Sequence, residues 1–273
     1  MVVYPNAKIN IGLHITRKRT DGFHQIESCF APIALYDILE IVESDKDPTF
    51  CSSGMLIPGS EDDNICLKAW RIMHQHYQIP PVNMHLHKQI PIGAGLGGGS
   101  ADAAFALKAF SSLFKLNLSN KQLTGLAAQL GSDCAFFIGN TTSMATGRGE
   151  ILEEYPLSLS KYMLVLINPS IHIGTAEAYA GIEPKVPEVS LHNLLKQPIS
   201  KWKNMIKNDF EKSIFQKYPL INEVKNQLYN HGAVYASMSG SGSTVYGFFE
   251  NPVPVEIEKN FAGMFCFSCP IIE

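Results

Sequence analysis

Along residues 7–16 apolar and polar side chains alternate without a fault. Ala7, Ile9, Ile11, Leu13 and Ile15 take one set of positions, and Lys8, Asn10, Gly12, His14 and Thr16 the other. Period two is the period of a β-strand, so the spacing predicts a strand with one apolar face. Lys8, Asn10 and Gly12 then project together from the opposite face, either as an ordinary wet surface or as a binding surface with a bare spot at the glycine. Further strands are expected near 37–42, near 49–57 and over 82–88, where Val-Asn-Met-His-Leu-His-Lys alternates again. Between them Ile65, Ala69, Ile72 and Met73 fall on one helical face, with Asp62-Asp63 as the expected N-cap. A second helix is expected from about Ser100 to Phe114, with Ala104, Leu107 and Phe114 on one side. Ser119-x-x-Gln122 has the form of a capping box and opens a helix through Leu123, Leu126, Ala127 and Leu130. Gly131-Ser132-Asp133 ends it and begins a short helix at Cys134.

After about residue 155 the pattern changes. A strand over 162–167 leads to helical segments near 174–181, 190–196 and 201–216. Another helix starts at Pro219, with proline in its first turn and Gly232 as its stop. Val-Tyr-Ala-Ser-Met followed by Ser-Gly-Ser-Gly-Ser and a second apolar run reads as strand, turn, strand. A final helix and strand follow. That order is the order of a split βαβ sheet. The expected organisation is therefore α+β in two domains, 1–155 and 156–273.

Composition narrows the function. The 273 residues are 45% hydrophobic, enough for a core in each domain, and the net charge of −3 supplies no basic field for nucleic acid. The longest apolar run, Met-Leu-Val-Leu-Ile at 163–167, suits a buried strand and falls far short of a membrane span of about 18 residues. The amino terminus lacks the pattern of a signal peptide. Six scattered cysteines read as reduced thiols in a cytoplasmic protein. Cys266-Phe-Ser-Cys269 lacks the strand-to-helix setting of a redox pair and reads as structural. His85 and His87 share a strand face, but no third metal ligand can be placed, so they read as a solvated face. His74 and His76 diverge on their helix.

The densest signal is Gly-Ala-Gly-Leu-Gly-Gly-Gly-Ser at 93–100, between a strand and a helix. Gly93-x-Gly95-x-x-Gly98 fits a dinucleotide fingerprint, yet residues 111–122 lack the acid expected about 20 residues on. The spacing of a Walker A loop is present, yet glycine stands where that loop needs its lysine. A third reading keeps the physics common to both. Successive glycines let N–H groups curve round an anion, and the helix adds the positive end of its dipole. The cation then comes from elsewhere, with Lys8 and Lys88 as candidates. A tight turn holding nothing is the plain alternative.

Pro91-Ile-Gly-Ala-Gly-Leu-Gly-Gly-Gly-Ser-Ala-Asp-Ala-Ala resembles the phosphate loop of the galactokinase–homoserine kinase–mevalonate kinase (GHMP) superfamily. Asn6-Ala-Lys-Ile-Asn-Ile-Gly-Leu, with Asp21-Gly-Phe-His-Gln-Ile, resembles the branch that phosphorylates a cytidine-diphosphate-linked methylerythritol. Gly131-Ser-Asp-Cys-Ala-Phe-Phe resembles that branch's GADxPFF segment, and Ser239-Gly-Ser-Gly its C-terminal glycine motif. The likeness runs from about Ala7 to Phe249. It implies a two-domain α+β architecture: an N-terminal mixed sheet with helices, a C-terminal ferredoxin-like split βαβ domain, and an active site in the cleft between them.

It also implies transfer of the γ-phosphoryl group of ATP to a hydroxyl of the methylerythritol moiety. Asp133 falls at the catalytic base and Lys8 at its partner, which helps depress the hydroxyl pKa and keeps the aspartate charged. Taken alone, Asp133 is as well explained as a helix N-cap and Lys8 as a solvated strand residue. Phe23 and His24 fall in the family's DGYH element, which handles cytosine. Phenylalanine keeps the stacking face of the usual tyrosine and loses its hydroxyl. Tyr179 falls at a second aromatic, Thr175 at a substrate contact, and Asn10 on the Lys8 face. Taken singly, Phe23 and Tyr179 fit core packing as well. ATP is expected along Pro91, Gly93, Gly95, Leu96, Gly97, Gly98, Gly99 and Ser100, with Asn64, Ile65 and Lys88 bordering adenosine. Serines that meet Mg²⁺ elsewhere in the superfamily are replaced here by Gly98 and Gly99. Mg²⁺ is therefore expected with ATP, and no protein residue is assigned to it. The expected partners are these small molecules, with no nucleic acid and no membrane, acting on a monomer or weak homodimer. A homoserine or mevalonate kinase would lack the aromatic clamp. A nicotinamide-dependent oxidoreductase and a nucleotide-binding protein without chemistry are the alternatives outside the class.

Overall fold

The computed structural model describes residues 1–250 and 252–272. In chain order its elements are β1 (Val2–Val3), β2 (Asn6–Lys18), β3 (His24–Tyr36), β4 (Ile38–Glu43), β5 (Thr49–Gly54), α1 (Ile65–Tyr77), β6 (Val82–Lys88), α2 (Gly98–Leu113), α3 (Asn120–Ala127), α4 (Cys134–Gly139), β7 (Ser143–Thr146), β8 (Ile151–Glu154) and β9 (Tyr162–Asn168). There follow α5 (Thr175–Ala180), α6 (Leu191–Leu194), α7 (Ile199–Met205), α8 (Glu211–Lys217), α9 (Pro219–Asn230), β10 (Tyr235–Met238), β11 (Val245–Glu250), α10 (Glu256–Asn260) and β12 (Phe265–Cys269). Among the described residues no helix is long and apolar enough to cross a membrane. Two compact units interleave along the chain. The first comprises Met1–Ala7, Leu35–Ile92 and Gly97–Asn140, and the second Lys8–Ala34, Gly93–Leu96 and Thr141–Glu273.

In the first unit a mixed sheet runs in the order β1-β4-β6-β5, with β5 parallel to β6 and the other pairs antiparallel. In β6 the alternation is literal. Val82, Met84, Leu86 and Lys88 are buried, and Asn83, His85 and His87 face outward. His85 and His87 are not simply solvated, because both ring nitrogens lie 3.0 Å from Ser53 Oγ. β5 stops at Gly54, where φ is +80° and a Cβ would lie 2.3 Å from the Lys88 carbonyl oxygen. Helix α2 is buried along most of its length by alanines, Leu107 and Phe110, and packs on α1, α3 and α4. Small side chains let those helices approach closely. Asp62-Asp63 does not cap α1; those residues form a 3₁₀ turn, and Asn64 Oδ1 accepts the Cys66 N–H at 2.8 Å. The Ser119–Gln122 capping box forms as expected.

The second unit holds two sheets, β2-β3-β7-β8 and β10-β11-β9-β12. The latter is antiparallel throughout, and its order makes β9 and β10 the parallel pair of a split βαβ, with β11 between them. Leu13, Ile15, Ile26, Val165, Ile167, Phe210, Val224 and Phe249 lie in its hydrophobic core. Cys266 and Cys269 stand on β12 as free thiols, three positions apart and so on opposite faces. Strand β2 is buried on both faces as far as Ile15, which rules out a wet face at Lys8 and Asn10. The 13-residue β3 is absent from the expected elements because Pro32 interrupts a nearly continuous apolar run.

The helix expected over 201–216 is broken. Its middle is claimed by a strand, since Leu13 donates to Lys207 O at 3.0 Å and Asp209 N–H to Leu13 O at 2.9 Å. Buried Asn208 then donates to Met238 O and Gly240 O, both at 2.8 Å, while its Oδ1 accepts Phe210 N–H at 3.0 Å. Replacing Asn208 by alanine leaves two buried carbonyls and an N–H without those partners, a cost of about 3 kcal/mol. The expected outcome in a thermal melt is a Tm lowered by about 6–12 °C.

Candidate active site

The glycine loop passes from the first unit into the second and back. Gly93, Gly95 and Gly97 have φ of +63°, +79° and +72°, which favours glycine. Within the second unit, a Cβ at Gly95 would lie 1.9 Å from the Ser239 carbonyl oxygen. The loop and the Ser239-Gly-Ser-Gly turn therefore touch main chain to main chain. Ser239 Oγ donates to Gly95 O at 2.8 Å and accepts Asn10 N–H at 3.2 Å. Lys8 N–H donates to Leu96 O at 2.9 Å, which ties the loop tip to β2.

Lys8 and Asn10 sit in that network. Lys8 Nζ donates to Asn10 Oδ1 at 2.5 Å and lies 4.5 Å from the centre of the Phe30 ring. Asn10 Nδ2 donates to Ser28 Oγ at 2.9 Å, Ser28 Oγ donates to Gly12 O at 2.6 Å, and Tyr246 OH donates to Asn10 O at 2.8 Å. Both residues are buried. An ammonium is costly to bury unless it meets partners, and Asn10 Oδ1 and the Phe30 ring are two that Lys8 meets. Ser28 and Tyr246 escape a reading of the sequence alone, because strand position gives no sign of a partner so far along the chain.

In the first unit, Gly97 stands at the N-cap of α2 without a side chain, and the first intrahelical acceptor bond goes to Ala101 N–H. The N–H groups of Gly98, Gly99 and Ser100 thus precede the helical ladder at its positive end. Nothing lies within 4 Å of a Cβ built at Gly99. Asp133 occupies the N-cap position of α4 yet makes no side-chain cap bond, so capping does not account for its carboxylate. Its segment lies beside the loop's helix: a Cβ at Gly131 would be 4.0 Å from Ser100 Oγ. Burial pushes the neighbouring Cys134 thiol up to about 11, against a hydrogen bond with Ser100, which keeps it an inert thiol. Asn64 and Ile65 open α1, which packs on α2. Pro91 is buried before the loop.

Lys88 needs correcting as a candidate loop cation. Its Nζ lies 2.6 Å from both Asp37 Oδ2 and Asp102 Oδ2, and all three side chains are buried. Burial works against the Lys88 charge, yet the two carboxylates raise its pKa above the ordinary lysine value. Burial outweighs Lys88 at Asp102, and with Asp37 adding repulsion pushes its pKa up to about 8. One ammonium does not satisfy two carboxylates.

In the second unit His24 and Tyr179 meet as stacked rings, 4.6 Å apart at 15°. Tyr179 also meets Phe210 edge-on at 4.9 Å. Thr175 is one turn earlier on α5 and exposed, on the Tyr179 side. Burial, then the charge of Lys18, holds His24 below the ordinary histidine value, so at neutral pH its ring offers one donor and one acceptor. Phe23 does not join this stack. It is exposed, and the Arg148 guanidinium lies 4.8 Å from its ring centre. Successive residues at a strand's start point opposite ways. Among the described residues no group of three or more His, Cys, Asp or Glu side chains could hold a metal ion.

The sequence matches the family described as GHMP kinases N terminal domain over residues 64–141, and GHMP kinases C terminal over 190–262. The chain is therefore a GHMP kinase. A homoserine kinase from Cytophaga hutchinsonii shares the fold, with a TM-score of 0.70 at 15% identity over 97% of this chain and 94% of that one. A crystal structure of 4-(cytidine 5'-diphospho)-2C-methyl-D-erythritol kinase superposes with a TM-score of 0.84 at 28% identity over 99% of both chains. The 4-diphosphocytidyl-2-C-methyl-D-erythritol kinase of Bacteroides thetaiotaomicron is 48% identical over 270 residues, 98% of each chain. Within the superfamily this chain belongs to that kinase family.

Two glycines separate structural from functional need. Gly95→Ala drives a methyl into the Ser239 carbonyl and is expected to lower Tm by at least about 10 °C, as a clash and a strained φ combine. Gly99→Ala meets nothing and is expected to leave Tm within about 2 °C while raising the KM for ATP, measured by melts and steady-state assay on both variants. Asp102 gives a pH signature. Its folded pKa of about 8 lies above the unfolded carboxyl value, so the native state holds a proton that the unfolded state releases. Wild-type stability relative to Asp102→Asn is expected to fall as pH rises from 5 to about 8 and to level above it, read from Tm against pH.

Proposed function

We propose that this chain transfers the γ-phosphoryl group of ATP to the 2-hydroxyl of 4-diphosphocytidyl-2-C-methyl-D-erythritol, a step in non-mevalonate isoprenoid precursor synthesis. One observation carries the chemistry: the start of α2 offers unladdered N–H groups beside open space at Gly99, and residues 97–99 are all glycine. That is the environment a polyphosphate chain needs. Mg²⁺ arrives with ATP, as part of the substrate. A sequence boundary near residue 155 is kept in this reading because it falls between the family segments 64–141 and 190–262, although the compact units interleave.

The site roles are read residue by residue. Asp133 accepts the proton of the attacking hydroxyl, in keeping with a carboxylate that its helix does not use. Lys8, oriented by Asn10 and by Phe30, meets the charge that develops during transfer. His24 reads the hydrogen-bonding edge of the cytosine, and Tyr179 and Thr175 border it. Phe23 and Arg148 flank this region. The loop glycines, Ser100 and the start of α1 receive ATP. On this reading the protein works in the cytoplasm, a compartment that suits its free cysteines.

An ADP-release assay offering the cytidylylated methylerythritol beside mevalonate, homoserine and galactose tests the substrate. Turnover is expected with the first alone, and equal turnover with mevalonate would overturn the assignment. Asp133→Asn is expected to retain ATP binding and to lose at least about 10²-fold in kcat. Unchanged kcat would remove its role as base.

A further inference from the structure

We propose that Asp37, Lys88 and Asp102 are positioning residues that clamp the base of the glycine loop and so set where its phosphate-facing N–H groups lie. The inference rests on the reading that this loop holds the phosphates of ATP.

Lys88 is the last residue of β6, just before the loop, and Asp102 lies in the first turns of α2, just after it. Their side chains meet at 2.6 Å across 14 residues of sequence. The pair thus closes the loop at its neck. Asp37 holds the same neck from outside it. Its Oδ2 accepts from Lys88 Nζ at 2.6 Å, and its Oδ1 accepts the N–H groups of Gln89 at 2.6 Å and Ile90 at 2.9 Å. The start of α2 rests directly on the cluster, because a Cβ at Gly98 would lie 3.0 Å from Lys88 Nζ and 2.9 Å from Ile90 Cγ2.

Two physical arguments favour positioning over stability. First, a buried ion cluster is a poor stabiliser compared with apolar packing of the same volume. This one is worse than most, with two acids on one base and Asp102 Oδ1 without a hydrogen-bond partner. Second, a loop with glycine at 93, 95, 97, 98 and 99 has little conformational preference of its own. Its geometry has to be imposed from outside. The neck is held by charge-assisted bonds with fixed directions, which apolar packing does not supply.

The test uses the full chain and two readouts, Kd for ADP by titration calorimetry and steady-state KM for each substrate. Asp102→Leu keeps the branching at Cγ and removes the acceptor; Asp102→Asn keeps an acceptor for Lys88. The expected result for Asp102→Leu is a loss of about 10-fold or more in ADP affinity and in KM for ATP, with KM for the cytidine alcohol within about twofold. Asp102→Asn is expected to return both nucleotide constants to within about threefold of wild type. ADP bound equally well by Asp102→Leu overturns the proposal, as does an equal loss toward both substrates that Asp102→Asn fails to rescue. Should Asp102→Leu lose its folded circular-dichroism spectrum, Asp37→Asn is judged by the same selective loss, since its NH2 must face either the Lys88 ammonium or the N–H groups of Gln89 and Ile90. Wild-type protein that binds no ADP removes the phosphate-loop reading and the clamp together. Wild-type protein that binds ADP but phosphorylates no cytidine alcohol removes the substrate assignment, and the ADP titrations still decide the clamp.

Discussion

At Gly95 the main chain runs so close to the Ser239 carbonyl that no side chain fits between them. The rest of the second unit's polar network is built on that approach. It brings Ser239 Oγ within reach of both Gly95 O and Asn10 N–H, so that three stretches far apart in sequence share one hydroxyl. Asn10, held by its own N–H and by Tyr246 and Ser28, then turns its amide oxygen to Lys8. A hydroxyl that both donates and accepts suits such a junction, because it leaves neither main-chain group unpaired in a buried place.

The two lysines singled out in the sequence are both buried. Asn10 Oδ1 and the Phe30 face both contact Lys8 Nζ. Lys88 Nζ faces the carboxylates of Asp37 and Asp102. A cation held in an ion cluster acts through the geometry of its partners. The two ends of the glycine loop are held by different means, the tip by main-chain bonds to Lys8 and Thr244 and the neck by charge.

Much of the first unit was legible because its signals are local. Val82–Lys88 alternates, Ser119 and Gln122 cap, and the glycines precede a helix; each depends on residues within one turn or one pleat. The split βαβ order was legible for the same reason. Strand β3 was hidden by Pro32, and the break in the 201–216 helix by a partner, Leu13, nearly two hundred residues earlier. Within the candidate site, Asp133, Lys8, Asn10 and Tyr179 came from motifs. Asp37 stands in no motif, and its role follows only from the N–H groups of Gln89 and Ile90 that it accepts.

The amino-acid sequence by itself determined the element types, the bare backbone of the loop and the residue types that phosphoryl transfer needs, since helix periodicity, strand alternation and glycine's freedom are properties of short segments. Only the tertiary structure decided that Lys88 is drawn into a cluster with Asp37 and Asp102, that His24 rather than Phe23 stacks on Tyr179, and that Asp133 opens a helix without capping it. Those outcomes depend on burial and on which groups meet in space, and both are set by contacts between residues that the chain keeps far apart.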